Sequence, residues 1–463
     1  MTTQDINANQ NLFDPEPLRD WSLGFITGHR LWVILLLLSG TALLYLIQHI
    51  IWPVRQQPQT TVEHIWAYGA ILWCAPFIFN SLGLLGIVLF RHPKNLDEAE
   101  RIENLVCWRI VSRGINVETL TTTIRRCQAE MAKTPLFPYV IEIVTDTESI
   151  KLPAPNKDLR YIVVPKEYST AKGTLYKARA LHFASQYSNL SDNAWVVHLD
   201  EETQPTSSGI KGICNMIREE ETSGKKRIGQ GAILYHRKWK QYPALTLADN
   251  IRTGTDFAQF HLQHKLGVTI FGFHGSYIVV RNDVEKSIGF DFGPEGSITE
   301  DAFWGLVAME RGFRSRWVEG YLEEQSTQSV MDFLRQRRRW IQGLAKVALH
   351  APVKLKWRAS IGFNTIIWNL GPFAALYTIA HFFFGFAHPW WLRFMANFSF
   401  ASYILLYLTG LKANLDEHRV ENFFKRASWY FVQIVLFPIF SLMESLAVLM
   451  ALRPISGFHV VKK

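Results

Sequence analysis

Long stretches without charge alternate with a polar middle along this chain. Residues 31–51, "LWVILLLLSGTALLYLIQHII", contain no Asp, Glu, Lys or Arg. A helix of about 20 apolar residues spans the hydrocarbon core of a bilayer. A second such run covers 66–90, and three more lie near 361–386, 394–411 and 428–452. Trp390 and Trp391 stand between two of these, as an aromatic belt would. Runs of this length are rare in soluble cores, so the pattern predicts a multi-pass integral membrane protein. The first run lies too far from Met1, and too close to the second, for a cleaved signal.

The middle reads differently. "VCWRIVSR", "YVIEIVTD", "RYIVVP", "AWVVHLD" and "RIGQGAILY" are apolar β-rich runs. Between them, "VETLTTTIRRCQAEM", "LYKARALHFASQY" and "SSGIKGICNMIREE" carry helical spacing. Strands alternating with helices predict βαβ units and a mostly parallel sheet, hence an α/β domain. The expected organisation is a polar tail (1–30), two transmembrane helices (31–91), one globular domain (92–358), then C-terminal transmembrane helices and a tail (359–463).

Basic residues orient this plan. Arg91, Lys94 and Arg101 follow the second run; Lys346, Lys354, Lys356 and Arg358 precede the third. The positive-inside rule then places the globular domain in the cytosol. Lys412, Arg419, Lys425 and Arg426 place the loop after the fourth run on the same side. One further complete span would put the C-terminus outside, whereas Arg453, Lys462 and Lys463 argue for inside. Pro438 interrupts the last run, so a re-entrant or broken segment is the alternative. Four scattered cysteines (Cys74, Cys107, Cys127, Cys214) show neither metal-ligand spacing nor a disulfide framework.

Candidate chemistry collects where strands end, since parallel sheets bind ligands at the carboxyl ends of their strands. "HLDEET" ends one strand on three acids in a row. Asp200 and Glu202 alternate in an extended chain and can face one divalent cation, Mg²⁺ or Mn²⁺, with Glu201 turned away. A solvated helix start is the alternative. Asp146 and Glu148 end another strand in "VTDTES", where an ordinary turn competes. Lys177 and Arg179 open a helix and suit a phosphate, or a solvated face. Asp301 follows Glu300 in "SITEDAF", where Ser297 and Glu300 match a capping box that leaves Asp301 unexplained. His274 stands between glycines in "GFHGS", structural or functional. "LRQRRRW" sets four arginines and Trp340 together, either a juxtamembrane cluster or guanidinium on diphosphate beside an aromatic platform for a sugar.

The ordered set of Asp146, the acids at 200–202, "TED" at 299–301 and "QRRRW" at 336–340 resembles the membrane-bound family 2 glycosyltransferases, which include cellulose and hyaluronan synthases. "VVPKEYST", "KARAL", "WVVHLDEET", "GQGAILY", "TLADNIR", "DFLRQRRRWIQG" and the tail "FHVVKK" are more similar to the Egghead-like β-1,4-mannosyltransferases. The chain departs from that pattern with His274 where a lysine is expected, and with Thr299 before Glu-Asp. The resemblance implies a GT-A-like nucleotide-sugar-binding domain and an inverting transfer. It implies a metal held by Asp200 and Glu202, and Asp301 as the catalytic base. Arg109, Asp146, Lys177 and Arg339 would bind the donor, and Trp340 and His274 the acceptor. It further implies GDP-mannose as donor and a glucosyl lipid as acceptor, joined through a β-1,4 linkage, with no nucleic-acid partner. A processive polysaccharide synthase using a UDP-sugar is the alternative. A transporter with a nucleotide-binding domain would need charged or broken helices at the midplane, for which only Glu444 and Pro438 offer themselves.

Overall fold

The computed structural model describes residues 30–51, 56–91, 96–146, 152–237, 239 and 241–454. Glu148, Lys94, the basic C-terminal tail and nearly all of the expected N-terminal tail lie outside them.

Seven strands form one sheet in the order β3-β2-β1-β4-β6-β5-β7. They are β1 (Val106–Val111), β2 (Tyr139–Thr145), β3 (Leu159–Val163), β4 (Trp195–Leu199), β5 (Ile228–Arg237), β6 (Ile278–Arg281) and β7 (Ser315–Gln325). β1 to β4 pair in parallel, as do β5 and β7, and only β6 runs against its neighbours. The sheet is therefore mostly parallel, as the alternating pattern predicted, with the first five strands where their apolar runs placed them. Helices Val117–Lys133, Tyr176–Tyr187 and Ser207–Ser223 supply the early crossovers. β1 is flanked by β2 on one side and β4 on the other, so chain order reverses there and opens a crevice at their carboxyl ends.

Among the described residues, five helices are long and apolar enough to cross a membrane: Val33–Ile50, Thr61–Leu89, Leu355–Phe383, Trp390–Glu417 and Phe423–Ala451. Their outward faces carry large exposed apolar residues such as Leu43, Ile71, Phe373 and Phe431. Such continuous apolar surface is stable only against lipid. The protein is a membrane protein in which the α/β domain and the helices share packing. Helix Pro243–Thr255 lies against Trp390–Glu417 so closely that a Cβ at Gly254 would collide with the backbone oxygen of Leu406.

The structure corrects the reading of Arg109. It lies inside β1, with no exposure, and faces Glu142 of β2 and His198 of β4 in register. Its Nε donates to Glu142 Oε1 (2.7 Å) and its Nη1 to Glu285 Oε2 (2.6 Å). Arg160 also bonds Glu142, and His198 lies 2.8 Å from Glu285. Burial pushes the Glu285 carboxyl up, but the Arg109 guanidinium and the His198 ring beside it outweigh that and draw it down to about 2. Arg109 is thus a buried keystone of the sheet with no face on the crevice. Arg109→Ala leaves two buried carboxylates short of a partner, and should lower unfolding stability by about 3–5 kcal/mol. Thermal denaturation in detergent checks this, and a variant of wild-type stability with weakened donor binding would contradict it.

Candidate active site

The loop after β4 carries the acids. Asp200 lies at the strand end, and Lys177 reaches it from the first turn of helix Tyr176–Tyr187, Nζ to Oδ1 at 2.5 Å. Lys177 also lies 3.4 Å from Glu300 Oε1 and donates to the Gly275 carbonyl at 3.3 Å. A Cβ at Gly275 would meet Asp301 Oδ2 at 3.2 Å, Lys177 Nζ at 3.3 Å and Asp200 Oδ2 at 3.4 Å. Three charged groups from three separate elements therefore converge on one glycine. Tyr176 (φ 54°) and Tyr277 (φ 59°) flank this point in left-handed backbone. Such conformations cost about 1–3 kcal/mol each and gather at functional sites.

Glu300 departs from the capping-box reading. The N-cap of helix Glu300–Glu310 is Thr299, with no side-chain cap. The Ser297 hydroxyl instead donates to Gly293 O and accepts from Leu175 N. Glu300 is left to serve the acidic cluster. Burial, together with the negative charge of Glu300, pushes the Asp301 carboxyl up to about 7. A carboxyl poised there can take up a proton near neutral pH.

Glu202 is buried, and its carboxylate converges with those of Asp200 and Glu324 to within 4.8 Å. Glu324 belongs to β7, brought near because Gln204 N donates to Glu323 O and the loop pairs with the strand end. Thr203 Oγ1 fixes Glu324 at 2.8 Å. Lys177 already meets Asp200 and Arg252 lies 3.9 Å from Glu324, and the all-oxygen donor set also suits Mg²⁺ or Mn²⁺. The donor set fits the expected metal, and Glu324 joins it as a candidate ligand that the sequence did not point to. Its signal was present as acids at the end of "EGYLEEQ". Glu201 is turned away from the cluster and accepts from Ser112 Oγ (2.6 Å) and Asn116, tying the loop to the end of β1.

A continuous cavity of ≈ 1390 Å³ contains these groups. Its polar end is walled by Ser112, Arg113, Thr145 and Asp146, at the ends of β1 and β2. Its middle holds Lys177, Asp200, Glu202 and Asp301. It then passes His274, Arg339 and Trp340 and rises between the membrane helices, past Trp73, Ala374 and Tyr403.

The arginines of "RQRRRW" point in four directions, as about 100° of turn per helical residue requires. Arg335 pairs with Asp332 and Arg338 donates to the carbonyls of Arg453 and Pro454. Arg337 is buried between Asp249 (2.7 Å) and Glu444 (2.8 Å). Arg339 lines the cavity. Trp340 lies beneath two guanidinium groups, Arg337 at 4.4 Å and Arg252 at 4.7 Å, which fix its ring at the cavity wall. His274 packs its ring on Phe260 and lies 3.4 Å from Asp256. Burial brings its imidazole down to about 3, so it stays neutral, and burial likewise raises the Asp256 carboxyl. Arg179 lines the cavity and donates to the Tyr168 and Pro165 carbonyls.

Residues 195–449 match the family described as glycosyl transferase family group 2. The chain is 31% identical over 423 residues to the β-1,4-mannosyltransferase egh of Drosophila melanogaster, covering 89% of this chain and 90% of that protein. It is 31% identical over 427 residues to the β-1,4-mannosyltransferase bre-3 of Caenorhabditis elegans, covering 89% and 91%. Among solved structures, the mannosyltransferase PcManGT from Pyrobaculum calidifontis, in complex with GDP-Man and Mn²⁺, aligns with a TM-score of 0.45 at 11% identity. That alignment covers 82% of this chain and 99% of that one.

Proposed function

Because this chain belongs to glycosyl transferase family group 2, and is a glycosyltransferase, we propose that it moves mannose from GDP-mannose onto a glucosyl lipid through a β-1,4 linkage, at the cytosolic face. The observation that carries this reading is the convergence of Lys177, Asp200 and Asp301 on Gly275, inside a cavity that runs on between membrane helices.

In this reading Asp146, with the neighbouring strand ends, receives the nucleoside. Lys177 and Arg339 contact the diphosphate, where charge-assisted hydrogen bonds stabilise the leaving group. Asp200, Glu202 and Glu324 would hold the divalent cation, which when bound supplies charge neutralisation at the diphosphate. Asp301 accepts the proton of the acceptor hydroxyl as that oxygen attacks the anomeric carbon from the face opposite the diphosphate, which inverts the configuration. Trp340 presents an aromatic face to the acceptor sugar, and neutral His274 lines the same wall without adding charge. The apolar upper cavity takes the acceptor's lipid.

The base must be ionised to work. Transfer measured as kcat/KM should therefore rise with pH through about 7, the value toward which Asp301 is raised. A rate that stays flat from pH 5.5 to 8.5 would remove Asp301 from that role.

A processive synthase using a UDP-sugar is the second reading, favoured by the cavity's extension between the helices. Purified protein in detergent, offered GDP-mannose or UDP-sugars with Mn²⁺ and a glucosyl lipid, separates the two by mass spectrometry. One added hexose from GDP-mannose supports the mannosyltransferase; a ladder of products from a UDP-sugar overturns it.

A further inference from the structure

Helix Phe423–Ala451 has the length and composition of a fifth membrane span. Its contacts do not fit a span. Near its start, Trp429 packs on Trp239 of the α/β domain, ring centroids 4.9 Å apart. Gln433 donates to the Leu247 carbonyl and accepts from Asn250 Nδ2, both on helix Pro243–Thr255. Glu444 pairs with Arg337 on helix Val330–His350 at 2.8 Å. At the far end, Gln342 of that same helix donates to the Ala451 and Arg453 carbonyls. Arg337 ties the two supporting helices together through Asp249 at 2.7 Å.

Geometry turns these contacts into a statement about the membrane. From Gln433 to Ala451 the helix advances about 27 Å at 1.5 Å per residue, close to the ~30 Å thickness of a hydrocarbon core. Crossing would put these two residues on opposite faces. Both are instead held by two helices that are joined to each other on the catalytic side. The other spans behave differently at their far ends. Gln56 bridges Phe386, His388 bonds the Ala67 carbonyl and Tyr377 bonds the Trp66 carbonyl, an outer layer built without the α/β domain. Helix Trp390–Glu417 then returns to that domain, where Tyr321 donates to Glu417.

We infer that Phe423–Ala451 lies in the plane of the membrane, embedded in the leaflet that faces the catalytic domain, and that the chain crosses the bilayer four times with both ends of this helix on the catalytic side. The face turned away from the protein matches that leaflet. Phe424, Phe431, Val435, Ile439, Leu446 and Leu449 are all about half exposed or more, and their spacing of three, four or seven forms one stripe. Exposed Lys425 and Arg453 stand at its two ends, where anionic headgroups would meet them. The stripe continues the apolar faces of the neighbouring spans, so its occupant is lipid. The opposite face, including Phe437, Pro438 and Ser441, walls the cavity. Basic residues on both flanks of a long apolar run, which conflict with an odd number of spans, are satisfied by this arrangement.

The test uses full-length protein in sealed vesicles of known orientation. The four native cysteines are buried, so single exposed substitutions can be read against a low background. Glu421→Cys and Arg453→Cys flank the helix, Lys225→Cys reports the catalytic side, and Gln57→Cys reports the loop between the first two spans. An impermeant maleimide should label 421, 453 and 225 from one face and 57 from the other. Labelling of 421 and 453 from opposite faces, or of both together with 57, overturns the proposal. Nitroxides at Phe431→Cys and Leu446→Cys should both collide with lipid carrying a relaxing label near its headgroup. Failure to do so, with cross-linking of 431 to a second copy of the chain, would assign the stripe to a protein partner instead.

Discussion

Asp301→Asn should abolish sugar transfer while leaving donor affinity near wild type, a loss of roughly 10²–10⁴-fold in rate. The carboxyl lies beside Lys177 and Asp200 without being part of the carboxylate triplet, so its removal spares the groups that would hold the diphosphate. Asparagine keeps the shape but cannot take up a proton at neutral pH. The fold should not suffer either. Burial and Glu300 raise the Asp301 carboxyl above its unfolded value, so the folded state holds that proton more tightly than the unfolded chain does. Stability from this group is complete at acid pH and declines as pH rises toward about 7. Asparagine removes that decline, and the variant should melt no lower than wild type at pH 8. Arg339→Ala should behave otherwise and weaken both binding and transfer, because a contact to the diphosphate acts in the ground state and in the transition state. Calorimetry with a donor analogue beside a transfer assay distinguishes them. A near-normal transfer rate in Asp301→Asn would make it a structural acid and move the search for the base to Glu300.

The second large effect is expected from the carboxylate triplet. Asp200→Asn and Glu324→Gln should each reduce Mn²⁺ binding and lower transfer by ~10²-fold or more, since a bound cation contributes several kcal/mol to a transition state that sheds diphosphate. Excess chelator should abolish activity, and added Mn²⁺ should restore it. Glu324 is the sharper probe, because it comes from β7, far along the chain from "HLDEET", and Thr203 holds it in place. Electron paramagnetic resonance of free Mn²⁺ reads the binding without reference to turnover. Full activity under chelation, or unchanged Mn²⁺ affinity in Glu324→Gln, would refute the assignment.

The apolar runs carried most of the fold. Five strands and three crossover helices fall where the period of two and the helical spacing put them. β6 and β7 were not legible, for opposite reasons. β6 has only four residues, "IVVR", too few to show a period. β7 mixes Arg, Glu, Gly and Gln into its eleven residues at the end of the sheet, which blurs its alternation. Among candidate site residues, Asp200 and Asp301 stood out because an acid at a strand end or helix start invites a reason. Arg109 misled because an arginine in an apolar strand suggests a ligand until its neighbours are known. Glu142 and His198 hold equivalent places in their own strands, and in-register parallel pairing aligns all three. Glu324 required knowing that the loop after β4 reaches β7, a long-range pairing that no local pattern contains.

The salt bridges of Arg337 also bear on how the molecule folds. A boundary drawn by hydropathy after residue 358 separates polar domain from apolar helices, yet Arg337 joins Asp249 on one side of that line to Glu444 on the other. The apolar cluster around it does the same, mixing Leu247, Phe333 and Ile341 with Tyr407, Leu411 and Phe440. Truncation at that boundary would strip Arg337 of one of its two counter-charges and expose the domain's half of a shared core. The catalytic part is therefore no autonomous folding unit. Its cooperative unfolding should include the last two helices, and amide exchange in helix Pro243–Thr255 should slow only after the C-terminal segment has been synthesised and docked.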